Sequence, residues 1–197
     1  MKHVMKRVGA VAVALAITGV VVLAGVKVKI SVDKTYDFTR LKTYAWHPDG
    51  AGEVKMLELS GDDPVALLER FDPVFKSAIT AELAKKGIAP ATAGKPDFYV
   101  HYYVLIGPNS ESQYRGQFVG AIPPWGLPDF AMTTTSFKVW EQGTIVLDVI
   151  DASKMEICWR GIAEAKINRE KTAAERDQRI RDGMRDLLKS FPPKPKK

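Results

Sequence analysis

Cysteine is all but missing from this sequence: the one copy, Cys158, excludes an intramolecular disulfide and a thiolate zinc cage, which needs several ligands at set spacings. Histidine is nearly as scarce, with three residues. His3 falls in the N-terminal segment, so His47 and His101 alone serve the body, and counting excludes a histidine-rich metal site. A surplus of one charge is also lacking. The formal net charge of +6 includes Lys2, Lys6 and Arg7 of the leader, and the remainder is too mild to imply nucleic acid as a partner. No glycine-rich phosphate loop follows a strand, and no G-x-S-x-G elbow or H-E-x-x-H pair occurs. The common catalytic signatures are therefore absent, and no internal repeat is visible.

What is present begins with an apolar run. Lys2, His3, Lys6 and Arg7 precede an uncharged stretch over 8–26, the layout of a secretory signal. Val22 and Ala24 suit the −3 and −1 positions of signal cleavage. Leu23-Ala24-Gly25 reads like a lipobox, but Val26 stands where the acylated cysteine would be, which argues against lipid anchoring. The run is also nearly long enough to span a bilayer, and its basic flank would leave the rest of the chain on the far side. We therefore expect residues 1–25 to be a signal peptide or N-terminal membrane anchor. Residues 26–193 are then a single exported domain in or facing the periplasm, and 194–197 a basic tail.

Hydrophobic period divides that domain into elements. Val26, Val28, Ile30 and Val32 alternate with Lys27, Lys29, Ser31 and Asp33, as in a strand wet on one face. A short strand over 43–47 runs into the turn chemistry of 48–52. Asp72 and Pro73 have the types of an N-cap and first helical residue, Gly87 suits the helix end, and Phe71, Val74, Phe75, Ala78, Ile79 and Leu83 form the stripe between them. Residues 64–71 read as a preceding helical turn kinked at Pro73. A strand over 97–105 carries aromatics on both faces, with Phe98, Val100, Tyr102 and Val104 opposite Tyr99, His101, Tyr103 and Leu105. A long connection over 107–140, rich in Gly, Pro, Ser and Thr, then carries Tyr114, Phe118, Trp125 and Phe130. Strands over 144–150 and 157–165 form a hairpin. If Leu147 and Trp159 share a face, paired residue numbers sum to an even value and the loop has odd length. Thr172 and Glu175 make a capping box for a last helix with stripe Ile180, Met184, Leu187, Leu188 and Phe191, stopped by Pro192-Pro193.

The expected fold class is α+β: a single, mostly antiparallel sheet of about five strands with two helices on one face, in the order β-β-α-β-(long loop)-β-β-α. That arrangement leaves the other face open unless the long loop folds over it. Lys27, Lys29, Tyr99, His101, Tyr103, Asp148, Arg160 and Glu164 point there by alternation.

Chemistry is sparse on this scaffold. Asp148 and Asp151, three apart on a strand, point to opposite faces. Asp97 and His101 share a face but lie about 13 Å apart, beyond hydrogen-bond reach. No catalytic residue, metal ligand or cofactor is therefore assigned. Cys158 falls beside Arg160 by alternation, which would activate the thiol; the plainer reading is a small side chain under the loop. Trp46, Trp140 and Trp159 read as packing residues, whereas Trp125, within Pro123-Pro124-Trp125-Gly126, is either a partner contact or a loop anchor. The expected partner-binding surface is Tyr99, His101, Tyr103 and Arg160 on the sheet with Tyr114, Trp125 and Phe130 in the loop.

A further pattern runs through nearly the whole chain. It comprises Leu23-Ala24-Gly25, the strand into Asp33, Phe38 with Tyr44-Ala45-Trp46, and Leu83 to Gly87. It continues with Pro96-Asp97, Gly143-Thr144, Asp148 to Asp151, Trp159-Arg160-Gly161 and Phe191-Pro192-Pro193. In this order the residues resemble bacterial envelope proteins and lipoproteins of domain-of-unknown-function family 4136. The resemblance implies an exported, often lipid-anchored α+β domain with no assigned activity, and Val26 departs from the modified cysteine that family members often carry. The function expected is a non-enzymatic envelope module that binds another protein or an envelope polymer, held at the membrane by its N-terminal segment if that is uncleaved. One rival is a hydrolase of envelope components that assembles Asp148, His101 and Arg160 from neighbouring strands. Another is a lipid or small-ligand carrier, which requires an apolar cavity between loop and sheet.

Overall fold

The computed structural model describes residues 21–23, 26–56, 62–108, 141–167 and 170–194. Most of the leader, and the loop residues Tyr114, Phe118, Trp125 and Phe130, lie outside the described residues. Strands β1 (Val21–Leu23), β2 (Val26–Val32), β3 (Thr43–Trp46) and β4 (Gly52–Met56) come first, with a 3-10 turn Phe38–Arg40 between β2 and β3. Helix α1 (Pro64–Ala84), β5 (Ala89–Pro90), β6 (Phe98–Pro108), β7 (Glu141–Asp151), β8 (Glu156–Lys166) and helix α2 (Ala173–Leu188) follow. Among the described residues the sheet runs β1-β2-β8-β7-β6-β3-β5, and β4 also pairs with β6.

The class is α+β as expected, but the sheet is larger than five strands and mixed rather than mostly antiparallel. Both β3 and β4 run parallel to β6. The cause is α1: a helix between two strands carries the chain back to the starting end, so the next strand lies parallel to its predecessor. β3 and β4 divide one edge between them. β3 pairs with Phe98 to Val100, β4 with Tyr102 to Ile106, and the turn at 47–51 interrupts them opposite His101.

The start of α1 corrects a second expectation. Asp63 and Pro64 carry the same cap signature as Asp72 and Pro73, and Asp63 Oδ1 accepts the Val65 N–H at 2.9 Å. Pro73 therefore lies inside the helix, where the one lost backbone hydrogen bond is offset by the packing of Phe75, Ala78, Ile79 and Leu83. Asp72 takes another role, accepting the Tyr102 hydroxyl at 2.7 Å. Gly87 closes the helix at φ 73°, a left-handed conformation that glycine adopts without strain. α2 is capped as expected, with Thr172 N–H donating to Glu175 Oε2 at 2.8 Å and Glu175 N–H to Thr172 Oγ1 at 3.3 Å.

Both helices cover the same sheet face, where the main core lies. Trp159, Tyr102, Phe98 and Leu147 from the strands meet Phe75, Ile79, Leu83, Met184, Leu187 and Leu188 from the helices. Phe191, just beyond α2, packs edge-on against Trp159 at 5.3 Å and Phe98 at 5.9 Å. Each such side chain contributes about 2–3 kcal/mol by leaving water.

The β7–β8 ladder keeps the expected even sum at Leu147↔Gly161, Asp148↔Arg160 and Val149↔Trp159, then shifts so that Ile150 pairs with Ile157. Cys158 is the extra residue of this β-bulge, and the loop has four residues, 152–155, rather than an odd number.

Candidate functional site

On the face away from the helices, register places a polar row across four strands: Ser31 on β2, Arg160 on β8, Asp148 on β7 and His101 on β6. Alternation therefore identified the correct side for these residues. It did not predict their burial: His101, Asp148 and Arg160 are 4%, 1% and 3% exposed, so the centre of this face is closed and not an open docking surface. In the next row of the same face Leu105, Val146 and Ile162 form a second apolar cluster with Tyr103 packed against it. Neither helix contributes to that cluster. Tyr99 and Tyr103 remain half-buried.

Asp148 and Arg160 form a two-pronged pair, Nε to Oδ1 at 2.5 Å and Nη2 to Oδ2 at 2.6 Å. Burial pushes the Asp148 carboxyl up from its ordinary value, and the guanidinium opposes that shift. Nearby, Lys29 Nζ reaches Glu164 Oε1 at 3.4 Å.

At the edge of the row the break between β3 and β4 brings new groups together. His101 Nδ1–H donates to the Gly50 carbonyl at 2.9 Å. That bond leaves Nε2 of the neutral ring as an acceptor, and it is buried with no hydrogen-bond partner. The nearest acid is Glu53, with Oε1 3.9 Å from Nε2. The His47 ring centroid lies 5.4 Å away and that of Tyr103 4.6 Å away, with Tyr99 beyond His47 at 6.0 Å. Lys55 Nζ bonds Glu53 at 3.0 Å and sits 5.3 Å over the Tyr103 ring. Burial pulls His101 below its ordinary value, opposed by the Gly50 hydrogen bond and by the Glu53 and Asp148 carboxylates. Burial likewise raises Tyr103.

Glu53 and Lys55 were missed at the sequence level because the turn signals of 48–52 masked the alternation that follows in Gly52-Glu53-Val54-Lys55-Met56.

The other residues considered for chemistry have structural positions. Asp151 and Asp148 turn away from each other as expected. Burial pushes the Asp151 carboxyl up. Bonds from Ser153, Tyr36 Oη at 2.7 Å and Lys154 N–H at 2.9 Å outweigh it and hold the carboxyl far below its usual range, and the Arg40 guanidinium also pairs with it. Asp97 receives the Lys42 and Thr43 N–H groups, each at 2.8 Å, and pins β3 to β6. Cys158 is not beside Arg160: the bulge turns it into the main core, where burial pushes the thiol up to about 12. Among the described residues no group of three or more His, Cys, Asp or Glu is placed to hold a metal ion, and no helix is long and apolar enough to cross a membrane.

The family model for a domain of unknown function, DUF4136, matches residues 28–193, from β2 to the prolines after α2. The chain belongs to this family. DUF4136 thus spans the whole described sheet except β1 and the start of β2, and both helices. No curated protein matches the chain. A solved PDZ domain protein from Parabacteroides distasonis is 17% identical at a TM-score of 0.49, over 85% of this chain and 35% of its own. This chain thus spans about a third of that protein. A PelC dodecamer from Paraburkholderia phytofirmans is 8% identical at a TM-score of 0.37, covering 83% of this chain and 94% of its own. A minor lipoprotein from Acinetobacter baumannii is 10% identical at 0.30, covering 76% and 88%. Likenesses this distant say nothing about the activity of the DUF4136 domain.

Proposed function

We propose that this protein is an exported, non-enzymatic binding module of the cell envelope whose partner sits at the β3/β4 edge of the non-helical face, on Tyr99, Tyr103, His47 and Glu53. The observation that carries this reading is the edge itself, which brings half-buried Tyr99, Tyr103 and His47 together with the Glu53 carboxylate around the His101 ring. Aromatic residues at such an edge supply contact area with little entropy to lose. The envelope placement rests on Lys2, Lys6 and Arg7 ahead of the apolar run. The partner class is another envelope protein or an envelope polymer.

The hydrolase reading finds Asp148, His101 and Arg160 side by side, yet their bonds work against it. Both Asp148 oxygens are taken by Arg160, and His101 Nδ1–H goes to Gly50, so no carboxylate orients the imidazole as a general base. The carrier reading depends on a loop outside the described residues.

Nuclear magnetic resonance tests the proposal through the ring signals of His47, His101, Tyr99 and Tyr103 during titration with purified envelope fractions. At least one fraction is expected to shift them together, with affinity falling about tenfold or more in Tyr103→Ala. If every fraction leaves these signals unmoved, the proposed binding edge is wrong.

A further inference from the structure

One end of the molecule gathers charge that the binding edge does not use. β3, β6 and β8 begin there, β2 and β7 finish there, and both helices run towards it. Backbone bonds tie its loops together: Asp33 N–H to the Cys158 carbonyl at 2.9 Å, Ala152 N–H to that of Asp97 at 3.2 Å, and Ala89 N–H to that of Lys42 at 3.0 Å. Lys42, Lys95, Lys154, Lys189 and Lys194 stand exposed on this end, with Lys86 half-buried among them. None of the six forms a salt bridge with a described residue.

The acids here are arranged differently. Asp33, Asp37, Asp97 and Asp151 turn their carboxylates onto the N–H and hydroxyl groups of neighbouring loop residues, so the lysines reach outward past them, and Glu156 beside Met155 is an exposed acid that the lysines outnumber. Lys86 and Lys189 complement the helix C-termini, a sufficient structural reason for those two. Lys42, Lys95, Lys154 and Lys194 have no helix to complement. At the opposite end the charges are mixed, with Asp62, Asp63, Glu164, Glu170 and Glu175 among Lys27, Lys166, Lys171, Arg176 and Arg179.

Met155 decides what kind of anion this end fits. It and Val65 are the exposed large hydrophobics among the described residues, at 51% and 62%. Val65 lies at the opposite, mixed-charge end, whereas Met155 follows Lys154 at the tip of the β7–β8 hairpin, held at φ 57°. A soluble polyanion has no use for an apolar tip among lysines; a bilayer does, at the boundary of headgroups and acyl chains.

We infer that this end is a docking surface for a bilayer of anionic phospholipid, with the lysines on the headgroups and Met155 between them. It is separate from the proposed partner edge and stands or falls independently. The full chain carrying Met155→Cys, labelled with an environment-sensitive fluorophore, is mixed with phosphatidylcholine vesicles with or without phosphatidylglycerol. Cys158 is 2% exposed and does not compete for the label. The label at 155 is expected to shift to the blue with phosphatidylglycerol alone and to return at high salt, while a label on Val65→Cys stays unchanged. Neutralising Lys42, Lys95 and Lys154 to Gln raises the lipid needed for half the shift about a hundredfold, about fivefold per lysine. Thermal unfolding of the triple variant checks that its fold is intact. The inference is overturned if the 155 label does not respond, if the Val65→Cys label responds equally, or if neutralising the lysines has no effect. It is also overturned if dextran sulfate produces the same blue shift as the vesicles.

Discussion

Asp148 and Arg160 face each other directly across β7 and β8, and their side chains meet through two hydrogen bonds with both groups out of water. Such a pair is held by mutual dependence. Removing one partner leaves an uncompensated buried charge, which costs about 3–5 kcal/mol, whereas replacing both with apolar groups of like size is close to neutral. Asp148→Ala or Arg160→Met alone should therefore lose about 3–5 kcal/mol in urea unfolding. Asp148→Leu with Arg160→Met should lose less than either. A double variant as damaged as the sum of the singles would mean that the two groups do not depend on each other.

Gly52 predicts a second stability effect. A Cβ there would lie 2.1–2.4 Å from three ring carbons of Tyr102, whose ring is stacked on Phe75 at 4.6 Å and cannot swing aside. Gly52→Ala should cost at least about 3 kcal/mol. In a Tyr102→Ala background, itself lowered by about 3–5 kcal/mol, the same change should cost under about 1 kcal/mol. The coupling, read from a denaturation double-mutant cycle, distinguishes ring contact from a general intolerance of alanine in β4.

Local chemistry was legible and long-range burial was not. Thr172 and Glu175 announced the cap of α2, and alternation assigned His101, Asp148, Arg160 and Glu164 to one face, because caps and pleats depend on neighbours within a few residues. Asp72-Pro73 has the residue types of a helix start, but so does Asp63-Pro64, where the helix begins, and local types alone do not choose between them. The contact of His101 with Glu53 depends on β4 running parallel to β6 after a helical crossover, which no local spacing encodes. Cys158 changed sides because a bulge breaks the period of two. Period reports the direction of a side chain and not whether water reaches it.

His101 should make stability depend on pH near neutrality. Burial favours its neutral form and sets the folded-state pKa below 6.5. Below 6.5 the unfolded chain thus takes up the proton more readily, and stability falls as pH drops from 6.5 through the folded pKa, levelling off below it. The Glu53 carboxylate, 3.9 Å from Nε2, works against that shift. Glu53→Gln should lower the His101 midpoint further, as read from its imidazole proton resonances. A wild-type midpoint above 6.5 would contradict the burial of this ring.

Cys158 should be chemically silent in the native protein. Its thiol donates weakly to the Val149 carbonyl at 3.4 Å, lies in the main core, and is pushed by burial up to about 12. Thiolate is the reactive form, so at pH 8 the native thiol carries about one part in ten thousand of it, and reagent access is blocked as well. The labelling rate with a disulfide reagent should therefore not follow thiolate chemistry but the opening of the β7–β8 core, slow in buffer and accelerating with urea. Asp148→Ala, which weakens the same pair of strands, should speed labelling in proportion to its loss of stability when opening and closing are fast. If labelling were fast in buffer and insensitive to urea, Cys158 would be at the surface, and the bulge would not turn it inward.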